Sequence, residues 1–518
     1  MKLFSLTVFI LLSAVAFSQK IELLAKVEGL KNEKLYFLRP LDNGFILSNP
    51  FYIQVYSQSN QVLITKEWKT VPFKEIKYTE KEEKNTVPVP DFNPFAAEKI
   101  EEGYLVYVNY KPSSGTAMVL EYKFTEKLDF VSERVLTKIN KRVSDSKDFA
   151  FTALDFFKSP DSDYYVFAQY SISSKKTGYQ HAFEYQILDF DFNVVRSGSM
   201  NMPSYKPNVP DYQVEKTVIR SIEVLDSGDP LINLGGALYF IEENQFIPLE
   251  LSPSKTITTY KLRQNSNGDL ALIGAYSDKN DTRHTGYVVI HFDENLSIKS
   301  EEYGVFSENF YLTATEHINK TLPHAANNKN ELGLKTKGAL LHKLPASLID
   351  AKFEVDGTIK VVFLANARYG NAGGCPQNVA IVKFDQDGNI MDEYIFPFEF
   401  TDHQNFTVMQ KHKVLFQENS LTFLTTDYPQ NYDEKGFYYP TLTPISFFSG
   451  KCVTVVLGVN FDNNTTTRKR LKIEEDKDFL EVPTIIETSK FPVSTEFTII
   501  TRVESKKSIS KVFVLDFD

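Results

Sequence analysis

Cysteine is nearly absent, with only Cys375 and Cys452 in 518 residues. That excludes a disulfide framework, and a chain of this length buries enough surface to need none. One Cys375–Cys452 bridge stays open in an oxidising compartment, because the two fall at equivalent places in adjacent repeats described below. It requires α-carbons within about 7 Å, which sequence does not give. A nucleophilic thiol is the weaker reading, since it needs a histidine partner and an electropositive surround.

Positive charge is also short: 57 Lys and Arg stand against 67 Asp and Glu, for a net charge of −10. Nucleic acid and other polyanions are disfavoured partners, because phosphate binding needs clustered cations. The one basic run, Arg468-Lys469-Arg470, reads as a solvated strand face.

Beyond the first residues there is no long apolar run, so no segment after them spans a membrane as a helix. Nucleotide and hydrolase signatures are missing too. The chain has no G-x-x-x-x-G-K-S/T loop, no G-x-S-x-G elbow and no paired C-x-x-C. Gly235-Gly236 and Gly373-Gly374 suit tight turns. Tryptophan occurs once, at Trp68, which leaves no Ser-x-Asp-x-Gly-x-Thr-Trp boxes of the sialidase type.

What is present begins with an address. Lys2, the apolar run Leu3 to Leu12 and the small-residue site Ala16-Phe17-Ser18 make residues 1–18 a secretory signal. The mature chain then starts at Gln19, with no cysteine there to carry a lipid. The expected location is the periplasm or the cell surface.

From Gln19 on, apolar and polar residues alternate over short stretches, the period-two mark of half-buried strands. A two-part unit repeats. Its first half is a hairpin around an acidic or glycine-bearing turn, at Asp42-Asn43-Gly44, Glu102-Gly103, Asp161-Ser162-Asp163, Ser227-Gly228-Asp229, Asn267-Gly268-Asp269, Asp356-Gly357, Glu418-Asn419 and, most weakly, Val493-Ser494. Its second half turns just after an aromatic residue: Phe124, Phe190, Phe240, Phe292, Phe384 or Phe461, with Tyr56-Ser57-Gln58 in the first unit. The spacing is about 60 residues, longer than the ~40–50 of simple propeller repeats, with the excess in loops.

Four short antiparallel strands cannot bury both faces alone, and stacking the units does it. The expected fold is an all-β β-propeller spanning 19–518 as a single domain, with eight four-stranded blades, or seven if a terminal unit is incomplete. After Pro483 three strands are expected, near 484–489, 496–503 and 510–517. The segment Ile21 to Val27 supplies the fourth, so pairing of the N- and C-terminal strands closes the ring and leaves no free edge. The alternative is tandem β-sandwiches.

In such a blade the turns within hairpins lie at one end, and the links between hairpins and blades at the other. The long segments 70–97, 136–149, 199–218, 304–348 and 426–450 are all links. Long loops on a rigid scaffold usually carry recognition. Residues 426–450 hold Tyr428, Tyr432, Phe437, Tyr438 and Tyr439 among Pro and Gly, a composition suited to an aromatic contact surface. The same rings also suit packing the segment down onto the scaffold.

Segment 304–348 contains His317, His324 and His342 at spacings that match no compact metal motif, and its part from Lys335 to Leu344 suits a short helix. Asp385-Gln386-Asp387-Gly388-Asn389 resembles the opening of a calcium loop but lacks the terminal glutamate, so an Asp-Gly hairpin turn is the better reading. No residue pattern calls for a metal or cofactor.

At the level of residues 349–395, the run Leu348-Ile349-Asp350-Ala351 to Asp356-Gly357, then Ile381-Val382-Lys383-Phe384-Asp385 and Asp387-Gly388-Asn389-Ile390, resembles uncharacterised exported propeller-like proteins of the Bacteroidota. The signal ending Ser18-Gln19 is similar to theirs as well. The resemblance offers no catalytic residues. Some proteins of that phylum carry a C-terminal sorting domain, whereas here the last strand runs to the end of the sequence, which favours periplasmic residence.

The functional expectation is therefore a non-enzymatic scaffold that binds a protein, peptide or glycan through its long-loop face. The alternative is a polysaccharide hydrolase or lyase using paired carboxylates near the axis.

Overall fold

In the computed structural model the described residues are 19–28, 37–41, 44–48, 52–57, 62–75, 92–110, 116–140, 149–158, 164–173, 181–189, 191–202, 219–225, 228–234, 237–242, 245–249, 251–252, 254–278, 285–311, 341–369, 374–398, 413–427, 432, 438, 453–470, 479–480, 498–504 and 509–517. They form eight four-stranded antiparallel sheets. Seven follow one another along the chain, at residues 37–67, 92–140, 149–202, 219–248, 255–304, 341–396 and 413–470, and are called sheets one to seven. Sheet eight joins Gln19–Glu28 to Phe479–Leu480, Thr498–Glu504 and Ile509–Phe517.

Every one of the first seven sheets is a simple meander, with each strand hydrogen-bonded to the next in sequence. That is the topology of propeller blades, and the fold is all-β and of the β-propeller class. In sheet eight the N-terminal strand pairs antiparallel with the C-terminal one, Gln19 opposite Phe517 and Glu28 opposite Ile509. The expected first strand of that sheet differs: Phe479–Leu480, ahead of Pro483, pairs with Val503 and Glu504, and 484–489 lies outside the described residues.

The chain divides into two compact units, one of residues 1–140 with 473–518 and one of residues 141–472. Within the second unit, burial of both sheet faces separates blades from sandwiches. In strand Leu270–Asp278 of sheet five, Leu270 and Leu272 pack with sheet four, whereas Ala271, Ile273 and Ala275 pack with sheet six. Strand Ile359–Tyr369 of sheet six repeats this, with Val361 and Phe363 facing sheet five and Val362 and Leu364 facing sheet seven. A sandwich buries one face of each sheet and leaves strict alternation; here both faces are buried and the strands read as near-continuous apolar runs.

Cations reach between neighbouring sheets. Arg263 of sheet five is buried and donates from Nε to the carbonyl of Ala351 at 2.6 Å and from Nη2 to Asp350 at 2.5 Å, both in sheet six. Lys360 of sheet six donates to Glu354 at 2.8 Å, to the Gln417 carbonyl at 2.9 Å and to the Glu418 carbonyl in the first turn of sheet seven. A buried ammonium is tolerable only with such partners. In the first unit the hydrophobic core of sheets one and two is built around Trp68, which is fully buried and donates from its indole to Ser48 Oγ at 3.2 Å.

The second hairpin of several sheets is closed by one local device. Asp385 Oδ1 accepts the N–H groups of Asp387 and Asn389 at 2.9 and 2.8 Å. Asp189 and Asp293 do the same for residues two and four ahead of them. The fourth residue of each turn adopts a left-handed backbone, φ 63° at Phe192, 58° at Leu296 and 86° at Gly388. Side-chain capping of the turn explains the recurring aspartate. It also settles the calcium-like run as a hairpin turn, and among the described residues no group of acidic, histidine or cysteine side chains is placed to hold a metal. In sheet three the residue ahead of the turn aspartate is Leu188, and Phe190 lies outside the described residues.

Candidate functional site

The described part of the tyrosine-rich segment 426–450 is organised around Arg468. Asp427 ends strand Ser420–Asp427, and Arg468 lies in strand Thr465–Arg470 of the same sheet. Arg468 Nη2 donates to Asp427 Oδ2 at 2.6 Å, Nη1 to the Pro397 carbonyl at 2.6 Å and Nε to the Tyr432 hydroxyl at 3.1 Å. The Tyr432 hydroxyl in turn donates to Asp427 at 2.6 Å. The guanidinium carbon sits 4.2 Å from the centre of the Phe398 ring and 3.7 Å from that of Tyr438.

The ion pair is almost sealed, with side-chain exposures of 6% for Arg468 and 1% for Asp427. Burial opposes the charge on Arg468, but Asp427 and the two tyrosines outweigh it and raise its pKa. Burial, then Asp427, pushes the Tyr432 hydroxyl well above the usual phenol range. The expected solvated face for Arg468-Lys469-Arg470 is thus corrected at Arg468: the neighbouring sheet supplies Pro397 and Phe398, so this side of the strand is core.

Tyr432 and Tyr438 face each other through an antiparallel bridge, with ring centres 5.9 Å apart. Both pack against the core of sheets six and seven. Tyr428, Phe437 and Tyr439 lie outside the described residues. Cys375 falls within strand Gly374–Phe384, its backbone opposite Ala367, rather than ahead of the strand. Cys452 lies outside the described residues, as do His317 and His324. His342 belongs to strand Leu341–Phe353, which replaces the expected helix from Leu341 onward. A one-turn helix occurs earlier, at Glu308–Tyr311. Its C-terminal carbonyls at Asn309 and Phe310 are taken by the Asn378 side-chain amide at 3.3 and 3.0 Å.

A cleft of about 440 Å3 opens at the other end of the strands, between sheets five and six. Its lining comes from four hairpins. Asp269 and Leu270 follow the first turn of sheet five, and His291, Phe292, Lys299 and Ser300 flank its second. Phe353 and Gly357 flank the first turn of sheet six, and Gln386 and Asp387 lie in its second. The two sheets are adjacent, and the turns are rigid because each is capped: Asn265 Oδ1 accepts from Asn267 and Asp269, and Asp385 accepts as described.

Leu270, Phe292 and Phe353 are buried and make an apolar floor. Asp269, Lys299, Ser300, Gln386 and Asp387 are exposed and make a polar rim. His291 joins the two. Its ring centre lies 5.7 Å from that of Phe353, and its Nε2 is buried without a hydrogen-bond partner. Burial lowers the His291 pKa, Lys299 lowers it further, and Asp269 and Asp387 partly offset this. The imidazole is therefore neutral at neutral pH, offering one donor and one acceptor.

His291 and its cleft were missed in the sequence. The available signal was a lone histidine interrupting Val288-Val289-Ile290-His291-Phe292, next to a turn rather than in a long loop. The lining residues are spread over more than a hundred positions, from Asp269 to Asp387, so no linear motif unites them.

No known family model matches the chain. No curated protein matches it either. Among solved structures, it is similar to the WD40 domain of SCAP from fission yeast, at 10% identity and a TM-score of 0.35 over 96% of this chain and 94% of that one. It is also similar to a polysaccharide lyase, an ulvan lyase bound to a saccharide, at 10% identity and a TM-score of 0.38 over 95% and 94%. A protein of unknown function from Bacteroides caccae is similar at 11% identity and a TM-score of 0.27 over 67% and 90%. At these scores the description of the fold rests on the chain's own sheets.

Proposed function

We propose that this chain is an exported binding scaffold whose ligand, a peptide or protein segment or a glycan, seats in the cleft between sheets five and six. The cleft carries the reading. Four capped hairpin turns converge on about 440 Å3 with an apolar floor and a polar rim, the size and make-up of a small-ligand site. Export is supported by Lys2, the apolar run after it and Ala16-Phe17-Ser18, and periplasmic or cell-surface residence follows from export. The aromatic segment 426–450 has no part in this reading, because Tyr432 and Tyr438 are engaged with Arg468.

A second reading, a polysaccharide hydrolase or lyase, is supported by one observation: Asp269, Asp387 and His291 line the same cleft, and such groups can act as acid and base. Against it, the Asp269 carboxylate is held by the Asn265 amide at 3.0 Å. A thermal-shift screen over oligosaccharides and peptides, with product analysis in parallel, tests both. Saturable stabilisation without product, lost in Ser300→Trp, supports the scaffold. Product formation lost in His291→Gln replaces it with the enzyme.

A further inference from the structure

The cleft's own chemistry narrows its ligand, provided that the cleft is the binding site as proposed above. We infer that it takes a neutral or amine-bearing sugar ring, and not an acidic glycan. The first ground is charge. Carboxylates stand on both sides of the cleft, Asp269 from sheet five and Asp387 from sheet six, against the single ammonium of Lys299. The chain around it is net negative at −10. A uronate or sulfate entering the cleft meets net repulsion, whereas an amine or a neutral hydroxyl does not.

The second ground is hydrogen-bond matching. A sugar hydroxyl donates once and accepts, so a site for several hydroxyls needs donors and acceptors interleaved. The rim provides carboxylates that only accept, an ammonium that only donates, and Ser300 and Gln386, which do both. Among the described residues, the Lys299, Gln386 and Asp387 side chains are engaged in no hydrogen bond or ion pair. They are available to a ligand without breaking internal contacts.

The third ground is the floor. Phe353, Phe292 and Leu270 offer the apolar surface that the C–H face of a pyranose covers. Beside them His291 Nε2 is buried without a partner, a state that usually marks a missing water or ligand. The neutral imidazole faces Lys299 on its own sheet, Asp269 at the preceding turn and Asp387 from sheet six. All three lie on the cleft, so a bound ring touches the same set of groups that sets the charge state of His291.

Calorimetric titration of the full chain with a glucosamine disaccharide, cello- and manno-oligosaccharides, oligogalacturonate and a mixed peptide pool tests the inference. The expected result is saturable binding of a neutral or amine-bearing sugar, weakened at least tenfold by Asp387→Asn and by Phe353→Leu. Each variant is first shown to melt like the parent protein. The exposed Glu126→Gln variant, in another sheet, should bind normally. Oligogalacturonate or peptide binding that is lost in the same variants overturns the sugar class while leaving the cleft as the site. Binding that neither variant alters overturns the cleft reading itself. No binding by any member of the panel overturns the inference as well.

Discussion

Asp427 and Arg468 form an ion pair at 2.6 Å between two strands of one sheet, and the arginine simultaneously caps a carbonyl, at Pro397, of the sheet beside it. One side chain thereby closes the base of the tyrosine-rich segment and ties sheet six to sheet seven. All of its charge is spent on protein groups.

Removing either member strands the other charge in the core. Arg468→Met should destabilise the protein by about 3–5 kcal/mol, and Asp427→Leu combined with Arg468→Met should recover much of that loss. Denaturation midpoints in urea check both. Equal losses for the single and the double variant would show that the pair contributes little beyond the packing of its stems.

Trp68 gives the unit of residues 1–140 and 473–518 a private reporter, because the chain has one tryptophan and it is fully buried there. Its emission should be blue-shifted in the native state and move to the red when that unit unfolds. Ser48→Ala leaves the indole N–H without its acceptor and should cost about 1–3 kcal/mol, read as an earlier fluorescence transition.

Burial and Lys299 hold the His291 pKa below its ordinary 6.5. As pH falls beneath that value, the unfolded chain takes up a proton that the folded imidazole still refuses. The contribution of this residue to stability is therefore complete above 6.5 and is lost as pH drops through the lowered folded value. Stability measured by urea denaturation from about pH 8 to about pH 5 should fall less steeply in His291→Gln than in the parent. Parallel curves would refute the assignment.

Gly388 adopts φ +86°, and an added Cβ would stand 3.1 Å from Val289 and 3.2 Å from Glu302 of sheet five. Gly388→Ala should cost about 1–2 kcal/mol from backbone strain alone, with more from the contact. Gly458 has no such φ and meets Thr467 only at 3.5 Å. Gly458→Ala should therefore be neutral or stabilising by about 0.4–1 kcal/mol. Thermal melts of the two variants make the comparison.

The hairpin turns were legible because their signals are local. An aspartate that caps its own turn, as at Asp293 and Asp385, writes its role into five consecutive residues. The pairing of Ile21 to Val27 with the last strand was legible by subtraction, since one sheet lacked a strand. Arg468 was not legible, because its partner Asp427 is 41 residues away and because charge alternation marks a solvated face only where one face of the sheet is bare. The Lys, Leu and Ala pattern before Leu344 suits a helix or a strand equally, and pairing with Tyr369, Arg368, Ala367 and Asn366 decided it for Leu341 to Leu344. The cleft needed two sheets placed side by side, which no run of residues encodes.

The union of Gln19–Glu28 with Ile509–Phe517 sets a timetable as well as an edge. The first described strand to leave the ribosome must wait for the last before it finds its hydrogen-bonding partner, so sheet eight cannot assemble during translation. Pairing of such distant segments is slow, and the waiting strand is exposed to misassociation meanwhile. A chaperone that holds the nascent chain open until the last strand arrives would shield that strand from wrong partners.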